Sequence, residues 1–240
     1  MNSIKKYFDR LLDLVFPRRC ALCDQITDEP GKEICRKCEG KLVYIRPPFC
    51  MKCGKQLREE DGELCGDCGR RRHGFVQGIS LYDYGSIADS IFRFKYCGRQ
   101  EYATFYGRQL YAARRRWLEL IKPEALVPVP IHPSRKRMRG YNQAELIARA
   151  LSEQSGIPVN TRLIIRSRKT LPQKGLNDGE RQNNLKRAFK IRQNDVKLKT
   201  IVIIDDIYTT GSTIDAMAET LRGAGIESVY FMALAAGRGI

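Results

Sequence analysis

The 240-residue sequence has no uninterrupted apolar run approaching the length of a bilayer span, so no membrane-crossing helix is expected. It contains neither G-x-x-x-x-G-K-[ST] nor G-x-G-x-x-G, which argues against a P-loop nucleotide hydrolase and against a dinucleotide-binding turn. The opening stretch MNSIKKYFDRLLDLVFP lacks a signal-peptide core, because Asp9 and Asp13 interrupt it. Ile4, Phe8, Leu11, Leu12 and Val15 instead share one helical face, so an amphipathic helix over 1–17 is expected to pack on the body. With no export signal, the expected compartment is the cytoplasm. Acidic residues are scarce: 27 Asp and Glu stand against 43 Lys and Arg, a formal net charge of +16. The imbalance is local. Residues 81–200 hold 25 basic and 10 acidic residues, whereas 201–240 hold 2 basic and 5 acidic ones. Hydrophobic residues at 42% and charged residues at 29% are the proportions of a folded chain with a core.

Cysteine, by contrast, is plentiful. Cys20-x2-Cys23 and Cys35-x2-Cys38 recur thirty positions later as Cys50-x2-Cys53 and Cys65-x2-Cys68, which marks an internal duplication. Nine cysteines in a cytoplasmic chain argue against a disulfide framework. Cys-x2-Cys hairpins converge thiolates on a tetrahedral point, and two hairpins complete a four-sulfur zinc shell with no position open to substrate. Two structural zinc sites are therefore predicted in a module over 18–72, paired either sequentially or in interleaved fashion. The segment is poor in large apolar residues, so the metal would carry much of its folding. Gly54 and Gly69 follow second cysteines, where a knuckle turn favours positive φ. Cys97 lies outside the pattern and is expected to be a packed small hydrophobe.

Beyond Gly74 the periodicity alternates between strand and helix through a domain over 75–240. Strands are expected at VQGISLYDY, ALVPVPIH, 163–165, 200–204 and SVYFMALAAG, with helices over 87–96, 102–120, 142–155 and 212–222. Near-continuous apolar strands alternating with helices predict an α/β fold: a mostly parallel sheet with helices on both faces. In such folds ligands bind beyond the carboxyl ends of the strands. There the stretch IVIIDDIYTTGST sets Asp205 and Asp206 ahead of a loop of Thr209, Thr210, Gly211, Ser212 and Thr213. Unpaired amides at a helix start suit a phosphate, and paired carboxylates suit hydroxyls or solvated Mg²⁺. A sugar phosphate has both groups. The rival reading, a strand followed by a helix capped by Ser212 or Thr213, accounts for the hydroxyls but not for consecutive acids.

IVIIDDIYTTGST resembles the phosphoribosyl-pyrophosphate motif of type I phosphoribosyltransferases. The chain more widely resembles the ComF (ComFC) family of competence proteins, in its double-zinc-ribbon form. The resemblance rests on LLDLVFPRRCALC, FKYCGR, VPVPIHPSRKRMRGYNQAELIARAL and the spaced set Thr170, Gln173, Leu176, Arg181, Asn184 and Phe189. It implies that Asp205 and Asp206 hold the ribose 2′- and 3′-hydroxyls, directly or through Mg²⁺, and that 209–213 cradle the 5′-phosphate. The turn at Ile131, His132 and Pro133 would lie near the pyrophosphate, and a flap at Arg168 and Lys169 would cover it. Arg135, Arg137, Arg139, Arg168 and Lys169 are cations available to a pyrophosphate leaving group.

Two function classes follow. One is an orphan phosphoribosyltransferase moving ribose 5-phosphate to a nucleobase or other nucleophile. The other, implied by the ComF resemblance, is a factor that handles single-stranded DNA in natural transformation beside other competence and DNA-processing proteins. Arg135, Lys136, Arg137 and Arg139 are the candidate nucleic-acid contacts, with Tyr96, Tyr102, Phe105, Tyr106, Tyr111 and Tyr141 as candidate stacking groups. The combined expectation is a pocket for phosphoribosyl pyrophosphate with Mg²⁺ and a basic surface for single-stranded DNA.

Overall fold

The computed structural model describes residues 17–27, 29, 31–167, 188–192 and 197–237. The amphipathic segment up to residue 16 lies outside the described residues. So does the expected flap, with Arg168, Lys169, Thr170, Gln173, Leu176, Arg181 and Asn184. Among the described residues, no helix is long and apolar enough to cross a membrane.

Four strands, β1 (Gly78–Asp83), β2 (Ala125–Pro128), β5 (Thr200–Tyr208) and β6 (Ser228–Ala236), form a sheet of order β1-β6-β5-β2. Every neighbouring pair in it is parallel. The segment near 164 joins a separate antiparallel pair, β3 (Ile164–Arg166) with β4 (Phe189–Ile191). A parallel sheet is covered on both faces, which is why its strands read as continuous aliphatic runs. Along β5, Val202 and Ile204 enter one apolar cluster, with Leu126, Met232 and Leu234. That cluster lies under α3 (Tyr84–Tyr96), α4 (Tyr102–Ile121) and α6 (Gln143–Ser155), through Phe94, Leu110, Ile147 and Leu151. Ile201 and Ile203 enter the opposite cluster with Val127 and Phe231, beneath Met217 and Leu221 of α7 (Ser212–Arg222). Asn142 caps α6 by accepting from the Ala144 amide at 3.2 Å, and its Nδ2 donates to the Val129 carbonyl at 2.9 Å. The chain leaving β2 is thereby tied to the helix that follows.

β5 is longer than its aliphatic run. The expected strand stops at 204, but β6 supplies partners further on, with Asp205 opposite Ala233 and Tyr208 opposite Ala236. Both acids therefore lie inside the strand.

The cysteines pair sequentially: Cys20, Cys23, Cys35 and Cys38 form one cluster, and Cys50, Cys53, Cys65 and Cys68 the other. Short helices α1 (Arg36–Glu39) and α2 (Gly66–Arg70) start directly after Cys35 and Cys65. The thirty-residue repeat extends to the backbone. Cys20 N–H donates to Gln25 at 2.7 Å and Cys50 N–H to Lys55 at 2.8 Å; Ala21 donates to Glu33 at 2.8 Å and Met51 to Glu63 at 2.9 Å. Positive φ falls at Asp24 (64°) and Gly54 (71°), directly after the second cysteine of each first hairpin. Gly69, expected to share that conformation, is instead an ordinary residue of α2. At Gly54 a Cβ would lie 2.7 Å from the Ile79 Cα, so close passage over β1 requires glycine as well as the positive φ. Too small for cores of their own, the ribbons join those of the sheet. Cys20, Cys35 and Cys38 belong to the α3/α4 cluster, and Cys50, Cys53, Cys65 and Cys68 to the α7 cluster.

Candidate functional site

Beyond β5 the chain turns through 209–211 into α7. Gly211 is the N-cap residue, with φ of 82°, and no side chain caps the helix. The rival reading of a cap by Ser212 or Thr213 is thus not what forms: Ser212 is already helical, its Oγ 3.0 Å from Thr210 Oγ1. The first-turn amides of α7 point out of the helix without a side-chain acceptor, at the positive end of its dipole. A Cβ at 211 would sit 2.6 Å from the Tyr208 hydroxyl, so the turn has room only for glycine. Asp205 and residues 207–214 line a small polar hollow here, and it includes every loop residue expected to cradle a phosphate.

The paired acids are not equivalent. Neighbours in a strand project to opposite faces. Asp206 meets Lys95 of α3, with Oδ2 2.7 Å from Nζ and both side chains largely buried. Asp205 lines the hollow and accepts the Asp206 amide at 2.9 Å. Burial, and then the charge of Asp206, push the Asp205 acid up to about 7, with Lys95 and Arg166 partly opposing. Arg166, at the end of β3, carries its guanidinium 5.5 Å over the Phe189 ring. Burial lowers its pKa, as does the charge of Arg135, while Asp205 raises it. Lys95 and Arg166 are site cations that motif reading missed. Lys95 lies within FKYCGR and Arg166 directly precedes the expected flap, so the signal was position beside a recognised block.

The turn after β2 takes a different form from that expected. His132 is the N-cap of a short helix, α5 (Pro133–Arg139), its Nδ1 accepting from the Ser134 amide at 3.2 Å and lying 2.7 Å from Ser134 Oγ. Its Nδ1 is therefore engaged in a local cap, and neither Ile131 nor His132 is among the residues lining the hollow. Along α5, Lys136 lies 3.8 Å from Glu145, whereas Arg137 is exposed. Arg139 donates to the Tyr96 hydroxyl at 3.0 Å with its guanidinium 4.7 Å over that ring. Phe92 and Tyr96 are 58% and 54% exposed, their rings 5.1 Å apart, and they form an aromatic pair beside α5. Of the other aromatics considered for stacking, Tyr102, Phe105, Tyr106 and Tyr141 are buried and Tyr111 is half-buried, so their helical spacing reflects core packing. Phe92 was not anticipated. Cys97, expected in the core, is exposed at the C-cap of α3.

The cysteine clusters fit zinc. A tetrahedral ion with Zn–S near ~2.3 Å places sulfurs about 3.8 Å apart; Cys23–Cys35 and Cys53–Cys65 are both at 3.7 Å. Each set of four sulfurs lies within 4.8 Å. The second cluster has an additional partner. His73 places Nε2 3.4 Å from Cys68 Sγ and Nδ1 2.8 Å from Asp215 Oδ2, on the first turns of α7. Asp215 also accepts the Gly74 amide at 3.1 Å. Lys55, paired with Asp67 at 2.8 Å, lies 5.6 Å over the Tyr208 ring, which stacks on Phe231 at 4.6 Å. The second ribbon thus contacts Tyr208 and Asp215, on either side of the turn into α7.

The double zinc ribbon domain family matches residues 11–69, and the phosphoribosyl transferase domain family matches residues 138–239. Competence protein F of Haemophilus influenzae is 30% identical over 92% of this chain and 97% of its own length. DNA utilization protein YhgH of Escherichia coli K12 is 29% identical over 92% of this chain and 98% of its own. Competence protein ComFC of Bacillus subtilis is 28% identical over 86% and 89%. Among solved structures, a purine phosphoribosyltransferase from Pyrococcus horikoshii aligns at 18% identity and a TM-score of 0.36, covering 55% of this chain and 73% of that one.

Proposed function

Because this chain belongs to the ComF family of competence and DNA-utilization proteins, we propose that it binds phosphoribosyl pyrophosphate as its Mg²⁺ complex, and single-stranded DNA, in the handling of incoming DNA. The observation that carries the ligand reading is the uncapped start of α7, which adjoins Asp205 across one hollow. The amides and hydroxyls of 209–213 receive the 5′-phosphate, and Asp205 and Asp206 accept the ribose hydroxyls or the waters of the substrate's Mg²⁺. In the unliganded chain Lys95 offsets the charge of Asp206, and burial favours the neutral acid at Asp205. The pocket is thereby spared two uncompensated buried carboxylates, and the cation brought by the substrate favours both anions. Arg166 is the cation from β3 that feels Asp205, and so a candidate partner for the pyrophosphate.

The nucleic-acid reading is favoured by exposed Phe92 and Tyr96, with Arg139 over the Tyr96 ring and exposed Arg137 on the same short helix, within the strongly basic middle of the chain. Unstacked bases pack on aromatic faces while cations follow the phosphates, and the affinity falls with salt. Both halves are tested by titration calorimetry with phosphoribosyl pyrophosphate and Mg²⁺, and by binding of labelled single-stranded DNA over a salt series. Asp205→Asn with Asp206→Asn is expected to weaken the first at least 100-fold and leave the second in place. Unchanged calorimetry would refute the pocket, and a salt-independent DNA affinity would refute the basic surface. Pyrophosphate released on adding a nucleobase would extend the reading to phosphoribosyl transfer.

A further inference from the structure

A second cavity lies beside β1 and shares no lining residue with the hollow. β1 is an edge strand, separated from β5 by β6. Between β1, the second ribbon and α4 is a cavity of about 190 Å³, walled on its apolar side by Phe49, Met51 and Trp117. Arg114 of α4 and Ser80 of β1 line it too. Ser80 is 1% exposed and its Oγ has no hydrogen-bond partner, nor has the buried Nε of Arg114. One guanidinium nitrogen of Arg114 donates to the Ser80 carbonyl at 3.2 Å, and no carboxylate pairs with it among the described residues. Buried cations are ordinarily paired, and buried hydroxyls ordinarily bonded. Here a guanidinium without a carboxylate partner and a residue with an unpartnered hydroxyl line the same cavity.

We propose that this cavity binds a small organic anion, a carboxylate or phosphate carried on a flat apolar body. Arg114 meets the charged group, the Ser80 hydroxyl donates to it, and the body packs against Trp117, Phe49 and Met51. Burial depresses the Arg114 pKa with no opposing carboxylate to restore it, so an arriving anion would relieve that penalty. The volume is below the roughly 300 Å³ at which drug-sized pockets begin, which limits the body to about one ring. The site is independent of the phosphoribosyl reading, since no residue is shared between the two cavities.

Trp117 is the only tryptophan in the chain, so its fluorescence reports this cavity directly. Benzoate is expected to change the Trp117 emission saturably, and the neutral isostere benzamide to bind at least tenfold more weakly. Inorganic phosphate, lacking the apolar body, should also be at least tenfold weaker. Arg114→Gln should abolish the benzoate response, Arg114→Lys should keep it within a few-fold, and Ser80→Ala should weaken it about threefold or more. Arg114→Gln is used only if it keeps the parent's zinc content and melting temperature; otherwise the lysine and alanine variants decide. Purely linear quenching, equal responses to benzoate and benzamide, phosphate binding as tight as benzoate, or indifference to the Arg114 and Ser80 changes would each overturn the proposal. Phosphoribosyl pyrophosphate should not compete.

Discussion

The two ribbons share a spacing and a hydrogen-bond pattern offset by thirty residues, yet they pack on opposite faces of the sheet. The first is held by α3 and α4. Ser90 donates to the Ala21 carbonyl and Arg93 to the Leu22 carbonyl, while Tyr102 donates to Asp24 at 2.6 Å. α3 also presents Lys95 to Asp206. The second ribbon is held by α7 through His73 and Asp215, and by Tyr208 through Lys55. Each copy of one metal knuckle therefore braces a different element of the candidate site: the first the helix whose Lys95 holds Asp206, the second the residues flanking the turn into α7. What differs is not the metal shell but the residue that follows it, because the first ribbon has Val43 where the second has His73.

The strongest way to break this comparison is to remove one metal at a time. Cys50→Ser with Cys53→Ser, and separately Cys20→Ser with Cys23→Ser, should each leave one zinc of two by elemental analysis. Structural zinc is worth many kcal/mol to a small module, so each melting temperature should fall by about 10 °C or more. The second-ribbon variant should lose inorganic phosphate and phosphoribosyl pyrophosphate binding together, by more than about 100-fold. The first-ribbon variant should keep most of its phosphate binding. Equal losses would mean that the ribbons act only through global stability.

A gentler cut leaves both shells intact. His73→Phe preserves a ring to stack on Phe75, now at 4.8 Å, but removes the contacts to Cys68 and Asp215. Outer-shell partners of metal ligands are typically worth 10- to 100-fold in metal affinity. Transfer of one zinc to a chelator should therefore become about tenfold or more faster while the other stays at the parental rate. Phosphate binding should weaken about tenfold, because Asp215 would keep only the Gly74 amide. A variant that loosens both zincs equally would contradict the assignment of His73 to the second ribbon alone.

How much of this could be read in the sequence depended on whether the determinant was local. The helices over 142–155 and 212–222 were legible because their apolar faces are local, as is the Asn142 cap of the first, and the ribbons because spacing alone defines a tetrahedral shell. α5 was missed, since the six residues after Pro133, five of them polar, bury nothing and carry no periodic signal. The reach of β5 was missed because Asp205 and Asp206 interrupt the aliphatic run, and only pairing with β6 extends the strand. His73 and Lys95 gain their roles from partners far along the chain, at Asp215 and Asp206, which no spacing rule connects. Cys97 was misjudged on composition: cysteine is usually buried, but this one ends a helix at the surface.

Asp205 should also declare itself by pH. Burial raises the Asp205 acid above its ordinary value, so its proton is favoured by the fold and is lost as pH rises through about 7. Ligand binding that needs the carboxylate must then strengthen with pH up to that value and level off above it. Binding of the Mg²⁺ complex, followed by calorimetry from pH 5.5 to 8.5, is expected to weaken by at most about tenfold per unit below the midpoint. Asp205→Asn should flatten that profile as well as lower it. A slope that survives the substitution would assign the titration to the ligand's own phosphates.

The smallest effect isolates the first ribbon's own fastening. Asp24 occupies the positive-φ position that Gly54 fills in the second ribbon, and it holds Arg99 at 2.7 Å as well as the Tyr102 hydroxyl. Burial opposes its charge, but these two partners outweigh burial and hold the carboxyl below its ordinary range. Asparagine tolerates positive φ about as well as aspartate, so Asp24→Asn removes the charge and little else. With part of the ion pair exposed to solvent, the cost should be about 1 kcal/mol, or roughly 2–4 °C in melting temperature. A folded pKa below the unfolded one contributes stability above the unfolded value and loses it as pH falls through the folded one. The difference between parent and variant should accordingly be constant near neutrality and shrink below about pH 4. A gap that stays open in acid would place the contribution of Asp24 in its geometry rather than in its charge.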